Sequence, residues 1–204
     1  MFSRPNQTPK EQYLLMAPQI LRAHDRTPAP WKNGGGITTE VMAHPQGAGT
    51  DDFAWRISVA DVASSGPFSA FEGVDRIITV VEGPGMALTV DGTEHVVDTR
   101  CVPFAFSGDA ATDCRLLDGP IVDFNVMVRR TEAKAGVSIE HGSTVLRPAP
   151  ATRVLAIVLD GTAALDRGPV RLGRLDAVLL QDDEDPVDVV VDGVLAIVTV
   201  TDVR

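Results

Sequence analysis

Arg76-Ile77-Ile78-Thr79-Val80-Val81-Glu82-Gly83 recurs, with one residue inserted, as Arg153-Val154-Leu155-Ala156-Ile157-Val158-Leu159-Asp160-Gly161. Both runs are led by arginine, filled with β-branched and aliphatic residues and closed by an acid and a glycine. That is the pattern of a strand stopped by a turn. The likeness continues in the same order. Arg100-Cys101-Val102-Pro103-Phe104-Ala105-Phe106-Ser107 matches Arg174-Leu175-Asp176-Ala177-Val178-Leu179-Leu180-Gln181, and residues 122–128 match residues 194–200. A repeat of strand–turn units predicts an all-β chain of two halves, each a sandwich or jelly roll of short antiparallel strands.

The flanking sequence extends this reading. Residues 53–60 alternate, with Phe53, Trp55, Ile57 and Val59 on one face and Ala54, Arg56, Ser58 and Ala60 on the other. Residues 122–129 alternate again, with Phe124, Val126 and Val128 opposite Asp123, Asn125, Met127 and Arg129. Residues 20–21, 87–90, 94–97, 102–106, 154–159 and 177–180 also read as strands. Asp91-Gly92 is a hairpin turn. Asp160-Gly161 and Asp192-Gly193 are read the same way, the second closing a terminal hairpin of residues 187–191 and 194–200. Residues 131–151 are weakly patterned and expected to be a connector or a short strand. Helical periodicity is confined to residues 11–17, within a tail expected over residues 1–17.

Before these strands lies Trp31-Lys32-Asn33-Gly34-Gly35-Gly36-Ile37-Thr38-Thr39-Glu40-Val41. Three glycines reach backbone angles closed to other residues, so the loop lets backbone N–H groups approach a partner closely. It also reads as a plain turn with Trp31 as packing anchor. It is not a phosphate loop: no Lys-Ser/Thr follows the glycines, and they lead into a strand rather than a helix N-terminus.

The chain has 204 residues, 44% of them hydrophobic and 23% charged, which suffices for a core in one large or two small β domains. A net charge of −10 disfavours nucleic acid and anionic lipid as partners. Two cysteines give no disulfide framework. The N-terminus lacks the basic-then-apolar pattern of a signal peptide, and no run of about 18 apolar residues suggests a membrane span. A soluble cytoplasmic protein is expected.

Several of these motifs together resemble the HutD/Ves family: Trp31-Lys32-Asn33-Gly34-Gly35-Gly36 followed by Thr38 and Glu40; Trp55-Arg56-Ile57-Ser58; Gly66-Pro67-Phe68-Ser69 with Phe71-Glu72-Gly73-Val74-Asp75-Arg76; and Asp123-Phe124-Asn125 with Arg129-Arg130. The resemblance runs collinearly over residues 18–200. Glu72 departs from it, standing where a proline is more usual before Gly73. The resemblance implies a bicupin, with one cupin barrel over residues 18–130 and a second over 131–204. It further implies an association with histidine utilisation, as a modulator that binds an intermediate such as N-formyl-glutamate or formiminoglutamate.

Cupin metal sites commonly use a His-x-His pair, a nearby Glu and a later His. Here His24, His44, His95 and His141 form no such pair, so no metal and no cofactor are expected. No nucleophile–base arrangement follows from the spacings, and Cys101, beside Val102 and Pro103, reads as a small packed residue. The candidate ligand-binding residues are Trp31, Asn33, Gly35, Thr38, Arg56, Ser58, Phe71, Arg76, Asn125 and Arg129. Arginine binds carboxylates in bidentate fashion, asparagine offers a donor and an acceptor to an amide-like group, and the aromatic rings form walls. Each arginine is equally open to pairing with Asp75, Asp123 or another acid. The expectation is a metal-independent binder of a small acidic metabolite, with a homodimer possible. The alternatives are a metal-independent isomerase or hydrolase using, for example, Glu40, and an interaction module with a vestigial pocket.

Overall fold

Alternating strands bury one face each, so a chain rich in them folds by stacking sheets. The computed structural model describes residues 18–32, 34–166 and 168–203. The expected tail and its helical stretch lie outside the described residues. In chain order the strands are β1 (Gln19–Leu21), β2 (Pro28–Pro30), β3 (Gly36–His44), β4 (Trp55–Val62), β5 (Gly66–Pro67), β6 (Val74–Glu82), β7 (Met86–Val90), β8 (Thr93–Val97), β9 (Phe104–Ser107), β10 (Thr112–Leu116), β11 (Ile121–Arg129), β12 (Ala133–Glu140), β13 (Thr144–Leu146), β14 (Thr152–Leu165), β15 (Arg171–Leu172), β16 (Ala177–Leu180) and β17 (Val187–Asp202). The one helical element among the described residues is a 3-10 turn at Ala23–Asp25, so none is long and apolar enough to cross a membrane. The all-β expectation holds.

Three sheets form. A six-stranded sheet runs β2-β3-β4-β11-β6-β9, and a four-stranded sheet runs β5-β10-β7-β8. A seven-stranded sheet runs β1-β16-β14-β17-β12, with β13 on β17 and β15 on β14. The repeat has a structural counterpart: β6 pairs with β11 as β14 pairs with β17. β1, which precedes the glycine loop in sequence, hydrogen-bonds to β16 in the seven-stranded sheet.

The six-stranded sheet is packed on both faces. Its back face presents Trp55, Ile57, Val59, Phe124, Val126 and Val128 to Leu155, Ile157, Leu179 and Val198 of the seven-stranded sheet. Fully buried side chains of this size contribute roughly 2 kcal/mol each, so this layer holds the two halves of the chain together. Its front face presents Ala60, Val62, Ile78 and Val80 to Met86, Leu88 and Cys114 of the four-stranded sheet.

Two of the three Asp-Gly pairs read as turns are not turns. Asp91-Gly92 reverses the chain between β7 and β8, with Asp91 at φ 46° and Gly92 at φ 81°. Asp160-Gly161 and Asp192-Gly193 instead lie inside the long strands β14 and β17, where Gly161 and Gly193 are directly paired. The register shifts between Val158 and Asp160 there, so both strands bend together. The bend folds the sheet over a second core of Val158, Ala163, Leu172, Leu180 and Val189. The expected terminal hairpin is therefore one sixteen-residue strand. The weakly patterned stretch after residue 131 forms β12 and β13, and β2, β5, β10 and β15 were not evident from alternation. β2, β5 and β15 have only two or three residues and leave little pattern to read, and the five residues of β10 carry polar Thr112, Asp113 and Arg115 among two apolar ones.

Glycine is required at the bend for steric as well as conformational reasons. A Cβ on Gly161 would lie 1.9 Å from the Asp192 carbonyl oxygen, whereas one on Gly92 would meet nothing within 4 Å. Gly161→Ala is expected to destabilise the protein by roughly 2 kcal/mol or more, and Gly92→Ala by about 1 kcal/mol, the conformational penalty alone. Urea denaturation of the two variants checks the difference.

Candidate ligand-binding site

Residues directly opposite on neighbouring strands share a face, and residues two apart on a strand share it too. The pairing of β3, β4, β11, β6 and β9 therefore lays out the front face in rows. One row is Thr38, Ala60, Asp123, Val80. The next is Glu40, Ser58, Asn125, Ile78, Phe104. The third is Ala43, Arg56, Met127, Arg76, Phe106. A bulge between Glu40 and Met42 keeps Glu40 and Ala43 in step with this face.

Arg76 is the centre of the polar part. It is 6% exposed, and its guanidinium carbon lies 5.3, 5.7 and 5.0 Å from the ring centres of Phe68, Phe71 and Phe106. Three ring faces stabilise a buried cation. Its Nε is buried without a hydrogen-bond partner. Burial lowers its pKa to about 10, opposed through space by Asp123, so it remains charged at neutral pH. Asp123 is fully buried, and its Oδ1 has no partner. Burial pushes its pKa up to about 7, opposed by Arg76 and reinforced by Asp61. Asn125 is buried with an unpartnered Oδ1 of its own.

The glycine loop closes one end. Trp31 N–H donates to the Gly36 carbonyl at 2.9 Å, and Gly34 N–H to the Trp31 carbonyl at 3.0 Å. The indole Nε1 donates to Thr38 Oγ1 at 2.7 Å, and the ring meets Phe68 edge-on at 6.3 Å. Gly36 lies so close to the indole and to the Asp61 carbonyl that a Cβ there would stand 2.6 Å from that oxygen. The loop is therefore a packed β2–β3 turn that also walls the site. Gly35 is buried in it, and its carbonyl accepts from Ala63 and Ser64 N–H.

Trp31, Thr38, Arg56, Ser58, Phe71, Arg76 and Asn125 thus gather at one face and its rim. Asn33 lies outside the described residues. The arginines differ in their engagements. Arg56 Nε donates to Glu40 Oε2 at 2.8 Å, so Glu40 is tied up in an ion pair. Arg129 sits at the end of β11 over Phe53, donating to the carbonyls of Asp51 and Phe53, with Glu132 3.7 Å away. Asp75 pairs with Arg130 rather than Arg76. Phe68, Phe106 and Asp123 were missed as site residues. Asp123 carried a usable signal, an acid on the same alternating face as Asn125 in a strand interior where Asp is scarce.

Among the described residues no group of three His, Cys, Asp or Glu side chains is disposed to hold a metal. Burial raises the Cys101 thiol, which lines a separate cleft with Arg100, His141 and Asp160, and pushes Cys114 up to about 12.

The HutD family model matches residues 23–198. A protein of the hutC 3′ region of Pseudomonas putida is 38% identical over 177 residues, covering 86% of this chain and 93% of that protein. Protein Ves of Citrobacter koseri is 40% identical over 111 residues, covering 53% of this chain and 56% of Ves. The structure of HutD from Pseudomonas fluorescens superposes with a TM-score of 0.81 at 35% identity, covering 92% of this chain and all of that one. A cupin barrel protein from Leptotrichia buccalis superposes with a TM-score of 0.56 at 10% identity, over 91% of this chain and 96% of that one, which shows a cupin-like fold alone.

The burial of Asp123 has a stability consequence with a definite sign. In the unfolded chain its carboxyl loses its proton near pH 3.8, but in the fold it keeps it to about pH 7. The folded state binds the extra proton in that window, so stability falls as pH rises through it and levels off above. Asp123→Asn, which cannot ionise, is expected to gain stability relative to the natural protein between pH 5 and pH 8. The difference should grow to on the order of a few kcal/mol, as measured by denaturant unfolding at both pH values.

Proposed function

The chain belongs to the HutD family, and on that premise we propose that it is a bicupin that binds a small acidic metabolite, without a metal, on the front face of its six-stranded sheet. In this reading residues 18–130 and 131–204 correspond to two cupin-like barrels, and the first carries the site. The protein acts in the cytoplasm as a modulator of histidine utilisation, with a ligand of the N-formyl-glutamate or formiminoglutamate type.

The observation that carries the reading is Arg76. A buried guanidinium costs free energy unless it is paired, and here three phenyl rings hold it while its Nε has no partner. Phenyl rings stabilise a cation without satisfying its N–H donors. A ligand carboxylate does both, in the bidentate geometry that suits arginine. Asn125, Ser58 and Thr38 on the same face supply hydrogen bonds for an amide-like group beside it. Arg56, already closed on Glu40, leaves Arg76 as the cation available to the ligand.

Thermal denaturation against millimolar N-formyl-glutamate, formiminoglutamate, glutamate, urocanate and histidine tests this. A ligand that binds only the folded state raises the midpoint by mass action. A shift with an acidic, amide-like compound is expected, and Arg76→Met is expected to abolish it while remaining folded. No shift with any compound overturns the reading.

A further inference from the structure

Three polar atoms on this face are both buried and unpartnered: Nε of Arg76, Oδ1 of Asp123 and Oδ1 of Asn125. One is a donor on a cation and two are acceptor oxygens. The register sets their order. Arg76 lies opposite Met127, Asn125 opposite Ile78 and Asp123 opposite Val80. Along the strand direction the sequence is therefore cation, amide, carboxylate, with successive inward positions roughly 7 Å apart.

This spacing explains why Arg76 and Asp123 do not neutralise each other by contact. Val80 lies four positions beyond Arg76, so the backbone positions of the cation and the acid are offset by about 13 Å along β6. They act on each other only through space. Asp123 lies between Ala60 and Val80 on its own sheet and near Cys114 of the four-stranded sheet, none of which offers a strong donor. A carboxyl placed only for packing would leave its oxygen unsatisfied there at a cost in stability. A ligand lying along β11, with its anionic head at Arg76 and an N–H further in, would satisfy all three atoms.

We propose that Asp123 is the specificity-determining group of this site, accepting a hydrogen bond from a nitrogen-borne proton of the ligand while Arg76 holds the ligand's carboxylate. The site selects carboxylates that also carry an ammonium, amidinium or secondary-amide N–H over plain carboxylates of the same length. This rests on the binding function proposed above and adds the ligand's second pole to it. Asn125, between the two, steadies the middle of the ligand without deciding between the classes, because an amide pairs with donors and acceptors alike.

Isothermal titration at pH 8 with a matched pair tests the proposal: N-acetyl-glutamate, and 2-acetoxyglutarate, in which an ester oxygen replaces the N–H. Glutarate serves as the plain carboxylate. The natural protein is expected to bind the N–H member about ten-fold or more tightly than the other two. Asp123→Leu is expected to bind all three within about three-fold of one another while retaining affinity for glutarate, a pattern that mere loss of packing would not produce. Equal binding of the pair by the natural protein, or an unchanged preference in Asp123→Leu, overturns the role of Asp123 and leaves the binding site standing. Binding of none of the three overturns both. Because the ligand pair is compared in the natural protein, the outcome does not depend on whether Asp123→Leu folds.

Discussion

The two-residue period of β11 is the constraint on which the molecule depends. β11 lies between β4 and β6, so every residue on it must face one of two neighbouring layers. Phe124, Val126 and Val128 enter the core shared with the seven-stranded sheet. Asp123, Asn125 and Met127 therefore have to face the other way, toward the front face, where Met127 packs with Phe53 and Val74. A slip by one residue would bury Asp123 and Asn125 in the main hydrophobic layer and strip that layer of a phenylalanine and two valines. The apolar residues set the register, and the register in turn positions the polar ones.

The site carries a standing cost. Arg76 is charged and buried, and Oδ1 of Asp123 and Oδ1 of Asn125 have no partner. Proteins commonly retain such arrangements where they serve function. The cost is limited in two ways. Three phenyl rings supply Arg76 with a favourable electrostatic surface, and Asp123 stays largely protonated to about pH 7. Both devices moderate the burial penalty without consuming the hydrogen-bonding capacity that a ligand needs.

By contrast, the other two candidate arginines, and Arg130 beside them, are engaged. Arg56 is paired with Glu40, Arg129 is spent on backbone carbonyls near Phe53, and Arg130 clamps Asp75, Asp109 and Ser107. Nothing in their local sequence separates them from Arg76. Each lies near an acid in the chain, and which acid comes within reach depends on the strand opposite. The bends at Gly161 and Gly193 make the same point: Asp-Gly closes a hairpin at residue 91 but bends a continuous pair at 160 and 192, because there two such dipeptides lie face to face.

The sequence by itself determined that the chain is built of strands and which residues of β4 and β11 share a face, because alternation is local and survives any arrangement of neighbours. It also brought out most of the polar face, from Thr38 and Arg56 to Arg76 and Asn125. Only the tertiary structure decided that β14 and β17 run unbroken through their Asp-Gly pairs, that Phe68 and Phe106 join Phe71 around Arg76, and that Oδ1 of Asp123 is left without a hydrogen-bond partner. These are facts about which residues, distant in the chain, are brought opposite one another, and pairwise proximity in a sheet is set by the competition among all strands for the same core.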